Sequence, residues 1–218
     1  VTTTSGLQID SAIVHLRSAD PVLAGLLDQY VLQEPAGEEQ LFHALVRAIV
    51  NQQLSGKAAE TILRRVEQLV AQGGELTPEQ VIATDQEALR GVGLSNAKAR
   101  YVRGLAEAVL SGELDLQRLP GLSDEEVIEQ LTHVKGIGRW TAEMILLFSL
   151  RRPNVLSTGD LGIRNAVKRH YGLEAVPSPD ELRVIAEPWH PYCSTALLLL
   201  WHSLDNRPAI DAGEVAGA

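Results

Sequence analysis

The stretch from Leu131 to Arg169 constrains this chain more than any other. It reads as a helix, a tight hairpin at Val134-Lys135-Gly136-Ile137-Gly138, a second helix opening at Arg139-Trp140-Thr141-Ala142, and Asp160 just ahead of a third helix. Two glycines one residue apart let a chain turn with positive φ where a side chain would clash, so that successive backbone N–H groups point outward together. Those groups open a helix, whose first four N–H groups lack intrahelical partners and carry the positive end of the macrodipole. Such a corner suits one phosphate, and a DNA phosphate is a candidate. Taken alone, however, Gly-X-Gly also joins helices that hold no ligand.

The rest of the chain carries helix signals almost throughout. Asp20 with Pro21, Thr77-Pro78-Glu79-Gln80, Ser123 with Glu126, and Ser178 with Glu181 each mark a helix start, three of them as capping boxes. Helices are expected over 7–16 and 21–30, with a turn over 35–38. The apolar positions Leu41, Phe42, Leu45, Val46, Ile49 and Val50 recur at helical spacing and run into Asn51-Gln52-Gln53. Ser55 is the expected cap of a helix to Gly73. Gly91-Val92-Gly93, followed by Lys98, echoes the later hairpin, either as a second phosphate contact or as the turn starting a long helix to Leu110. The segment from Arg151 to Gly159 is too polar and proline-broken for helix, whereas 192–204 is apolar on every face and reads as buried. No credible run of strands exists, so the expected fold is all-α. At 218 residues the chain can form two helical lobes, expected over 38–170 and over 1–37 plus 171–218, with a cleft between them. Val1 to Gly6 reads as a leader, and the tail from Asn206 has little to pack.

A net charge of −9 argues against a protein that coats nucleic acid by bulk electrostatics. Two features offset this: backbone N–H groups hold phosphate without adding charge, and Lys98, Arg100, Arg103, Lys135, Arg139, Arg164, Lys168 and Arg169 gather in the segments of interest. The single cysteine, Cys193, excludes an internal disulfide and a cysteine-ligated iron–sulfur cluster. No secretory signal or membrane-length apolar run occurs, so the expected location is cytoplasmic, nucleoid-associated in a bacterium.

Gly136, Gly138, Thr141, Ala142 and Asp160 together resemble the helix-hairpin-helix DNA glycosylase superfamily, and Gly-Ile-Gly-Arg-Trp-Thr-Ala at 136–142 is the form of its DNA-3-methyladenine glycosylase II branch. The resemblance covers about 20–205 and lacks the extra N-terminal β domain of some relatives. It implies a monomeric, monofunctional enzyme that flips an alkylated base of the 3-methyladenine or 7-methylguanine type from double-stranded DNA and hydrolyses its N-glycosidic bond. The lyase lysine of bifunctional relatives stands where Trp140 stands here. Phosphate would be held at Gly136, Ile137, Gly138, Arg139 and Thr141, and the carbonyls of Thr132, Val134 and Ile137 are candidates for a monovalent cation; no cofactor is expected. A wedge entering the vacated base stack falls at Gln53 or Leu54. Trp140, Met144 and Trp201 would line the base pocket, where an indole face attracts a cationic base.

Asp160 is the candidate catalytic residue. Glycosidic cleavage gives the sugar oxocarbenium character, which a carboxylate beneath it stabilises while orienting the attacking water. An aspartate here also serves as an N-cap for the helix from Leu161, and the two roles are compatible. Competing readings are a glycosylase for oxidised or mismatched bases, a non-catalytic DNA-binding module that uses the hairpin alone, and a helical scaffold that binds protein.

Overall fold

The computed structural model describes residues 6–32, 34–35, 40–54 and 56–204. Most of the expected leader and of the 35–38 turn, the Ser55 cap and the tail from Asn206 lie outside them. Among the described residues there is no strand, and no helix is long and apolar enough to cross a membrane. The chain divides into two compact units, one containing the described residues of 40–145 and the other those of 6–35 and 146–204.

The first unit holds α3 (Leu41–Asn51), α4 (Gly56–Val70), α5 (Pro78–Ala83), α6 (Gln86–Gly91), α7 (Asn96–Ser111), α8 (Asp124–His133) and α9 (Arg139–Met144). Helix α7 is its hub, packing on α3, α5 and α6, while α8 and α9 form the helix pair around the hairpin. The Thr77–Gln80 and Ser123–Glu126 capping boxes both form, satisfying helix-start N–H groups as their sequences require. The helix that starts after Thr77 ends at Ala83. A second start intervenes because the Asp85 carboxylate caps α6 by accepting from Glu87 N–H. The Gly91–Gly93 echo is the turn between α6 and α7, where a Cβ on Gly93 would meet Ile62 Cγ1 at 3.1 Å. That glycine serves close helix packing.

The second unit holds α1 (Ile9–Ala19), α2 (Pro21–Leu27), α10 (Leu161–His170), α11 (Pro179–Ile185) and α12 (Cys193–Ser203). Helix α12 is its axis: residues 193–201 are buried without a break, and α1, α2 and α10 pack on it. Asp20 is the buried knot of this unit. Its Oδ1 accepts from Val22 and Leu23 N–H, capping α2, and its Oδ2 accepts from Trp189 Nε1 at 2.9 Å and from the Tyr171 hydroxyl. Burial first, then the Asp20 carboxylate, pushes the Tyr171 phenol well above its usual range.

The partition differs from the sequence expectation at one boundary. Residues 146–170 group with the second unit because α10 packs on α12, and the division falls just inside the π-helical turn Ile145–Ser149 that continues α9. Asp160 and the hairpin are therefore carried by different units.

Candidate active site

Asp160 is held by contacts within its own unit. As N-cap of α10, its Oδ1 accepts from Ile163 N–H at 2.8 Å, and it accepts from Trp201 Nε1 at 3.3 Å. It is 8% exposed. The irregular segment leading to it is pinned by Ser194 at the start of α12, whose hydroxyl donates to Arg152 O and accepts from Val155 N–H, while its own N–H donates to Pro153 O. Helix α12 thus grips the start of the segment through Ser194 and its end through Trp201. Both donors placed on Oδ1 are neutral dipoles, so they orient the carboxylate without cancelling its charge. Leu161, next in the chain, is 60% exposed.

The aromatic and sulfur positions separate. Trp140, at the start of α9, is 38% exposed and presents an indole to solvent. Trp201 is only 2% exposed, with Phe148 stacked on it at 6.1 Å. Trp201, expected as a pocket wall, donates its indole N–H to the Asp160 carboxylate, and its ring is enclosed. Met144 is fully buried and packs the inner end of α9, so it offers no accessible wall.

The hairpin also corrects its expected details. Only Gly136 has positive φ, at +99°; Gly138 is the N-cap of α9 with φ −94° and ψ 169°. Ile137 is buried, and its N–H closes the turn onto Val134 O at 3.0 Å, so it does not face a phosphate. Thr141 is buried as well. Gly138 and Arg139 are exposed, and no side chain caps this helix start. The Arg139 guanidinium is bidentate to Glu125 at 2.8 and 2.9 Å and donates to Glu143 at 3.1 Å. The hydrogen bond to Glu125 is the main cause that holds its pKa above the ordinary arginine value. The Arg139 side chain is therefore held by protein carboxylates. The Val134 carbonyl, though engaged by Ile137, keeps a second lone pair for a cation. No cluster of His, Cys, Asp or Glu among the described residues suits a metal.

The loop between α3 and α4 carries the two wedge candidates. Gln53 is exposed and in the left-handed region at φ +57°, while Leu54 is half-buried. Of the two, Gln53 projects. Lys98, expected near a phosphate, instead donates to Val50 O at 2.7 Å and Gln52 O at 2.6 Å, and burial lowers its pKa. Arg103 donates to Ile82 O and Thr84 O, and Arg164 to Pro177 O. With Arg139, four of the eight cations gathered by sequence position are thus engaged with protein oxygens. A linear list could not reveal this, since each partner except Glu143 lies more than ten residues away.

Residues 46–191 match the family described as HhH-GPD superfamily base excision DNA repair protein. The structure of Schizosaccharomyces pombe 3-methyladenine DNA glycosylase (Mag1) in complex with abasic DNA aligns at 34% identity and a TM-score of 0.79, over 89% of this chain and 97% of that one. A DNA-3-methyladenine glycosidase structure from Bacillus halodurans aligns at 40% identity and a TM-score of 0.79, over 90% and 88%. Bacillus subtilis YfjP is 31% identical over 80% of this chain, which spans 64% of that protein. The all-α architecture agrees with these likenesses, and the chain belongs to the HhH-GPD superfamily of base excision DNA repair proteins.

Proposed function

We propose that the protein is a monofunctional DNA glycosylase that turns an alkylated purine, of the 3-methyladenine or 7-methylguanine kind, out of duplex DNA and hydrolyses its N-glycosidic bond. The observation that carries this is Asp160: a buried carboxylate oriented by a helix start and an indole N–H, in a family of base excision repair proteins. The bond from C1′ to the base nitrogen breaks, and the electron pair leaves with the base. An alkylated purine is already cationic, so it departs neutral without a general acid. Asp160 stabilises the positive charge left on the sugar and orients the water that adds to C1′, whose proton passes to the carboxylate or to solvent. Trp140 supplies the exposed aromatic face for a cationic base, an attraction of up to ~2 kcal/mol when desolvated. No lysine stands at position 140, so no Schiff base to the sugar forms and the strand stays intact. The turn amides at Gly138 and Arg139 take a strand phosphate, with Thr132, Val134 and Ile137 carbonyls as candidates for a cation beside it. The protein acts as a monomer.

The test is release of free base from methylated duplex DNA. We expect 3-methyladenine and 7-methylguanine in solution and abasic sites that break only on later alkali treatment. Strand scission by the protein itself, or release confined to oxidised or mismatched bases in a parallel panel of duplexes, overturns the assignment.

The engaged cations make a second prediction. With Lys98, Arg103, Arg139 and Arg164 held internally, phosphate recognition falls to the turn amides and to exposed side chains such as Lys135 and Arg100. Fluorescence anisotropy across a salt series should give a log–log slope of about −2 to −4, whereas a slope beyond about −6 would require the whole basic set to meet phosphate.

A further inference from the structure

Helix α7 joins two elements that the reading above assigns to DNA. Lys98 and Tyr101, three residues apart, share one face of that helix. Lys98 brackets the C-terminal end of α3, taking the Val50 and Gln52 carbonyls that the helix leaves without intrahelical donors. Tyr101 lies over the hairpin so closely that a Cβ on Gly136 would fall 2.4 Å from its Cγ. A third connection closes the triangle: Gln52 Nε2 donates to Gly136 O at 2.8 Å. The projecting Gln53 thus follows a residue whose carbonyl is held by Lys98 and whose side chain is held by the hairpin. Gln53 adopts a left-handed conformation that is strained for a non-glycine residue, and such a conformation persists where its surroundings fix it.

We propose that Lys98 is a positioning residue for base probing: its ammonium holds the 51–54 loop at a fixed offset from the hairpin, so that strand grip and wedge insertion occur as one rigid engagement. This rests on the glycosylase reading of the hairpin and of Gln53. Lys98 itself touches no DNA. Its half-buried ammonium, directed at two backbone carbonyls, is a brace rather than a phosphate contact. Loss of the brace frees the loop while the hairpin, still packed under Tyr101, keeps its affinity for the strand.

The experiment compares two affinities that depend on these elements differently. Duplex containing a tetrahydrofuran abasic analogue offers a gap for the wedge; the same duplex undamaged offers only backbone. In wild type the abasic duplex should bind more tightly. Lys98→Met should reduce that preference about tenfold, the size of one lost hydrogen bond to a charged group, with undamaged-duplex affinity within about twofold of wild type. Lys98→Arg, which restores a cation able to reach both carbonyls, should recover most of the preference. Equal loss on both duplexes, or an unchanged preference, overturns the positioning role. If circular dichroism shows Lys98→Met unfolded, Lys98→Gln keeps one donor and is read by the same ratio. A wild-type protein that binds neither duplex overturns the glycosylase reading itself, and the brace with it.

Discussion

Asp160→Asn should release alkylated base about 10² to 10³ times more slowly than wild type in single-turnover measurements, with little change in fold or in affinity for abasic duplex. The substitution isolates charge. Asparagine is as good an N-cap as aspartate, so its side-chain oxygen can still accept from Ile163 N–H, and the same oxygen can receive the Trp201 indole N–H. What disappears is the negative charge facing the sugar as it becomes cationic. Asp160→Ala is a poorer probe, because it also removes the cap at a cost of about 1 kcal/mol and leaves the indole N–H without its acceptor. A rate unchanged in Asp160→Asn would remove this residue from the chemistry, whereas a wild-type protein that releases no base would leave it as a DNA-binding module.

The features legible in the sequence are those set by neighbours within a few residues. The boxes at Thr77, Ser123 and Ser178 form as read, as does the Asp20 cap, because a cap and its target lie on one helical turn. The uniformly apolar run of α12 is buried for the same local reason. The features that escaped depend on partners distant in sequence. Trp189 is fully enclosed and bonded to Asp20, 169 residues away. Nothing near Lys98 announces that its ammonium serves carbonyls 46 and 48 residues away, and nothing near Ser194 announces that it pins the segment leading to Asp160. The contacts of Trp201 are of this kind too: its ring stacks on Phe148 and its indole N–H donates to Asp160, 41 residues away. The difference at the lobe boundary has the same origin, since the packing of α10 on α12 groups residues 146–170 with the second unit.

The two hairpin glycines should fail in opposite ways when each is replaced by alanine. At Gly136 the backbone is left-handed at φ +99°, and an added Cβ would lie 2.4, 2.5 and 2.8 Å from three atoms of Tyr101. Backbone strain and overpacking together should destabilise Gly136→Ala by about 2 to 5 kcal/mol in denaturant unfolding. Gly138 has an ordinary φ and nothing within 4 Å of a built Cβ, so Gly138→Ala should change stability by less than about 1 kcal/mol. Gly138 is nevertheless exposed at the helix start, where a methyl group would stand between the turn amides and a phosphate. Its alanine variant should therefore lose DNA affinity about tenfold while folding normally, in keeping with one weakened phosphate contact. Adding Tyr101→Gly to Gly136→Ala should recover the overpacking part of the loss and leave the φ strain, a coupling that a double-mutant cycle measures directly. If Gly138→Ala binds DNA like wild type, the phosphate does not approach that turn, and the hairpin's glycines serve only to seat it beneath α7.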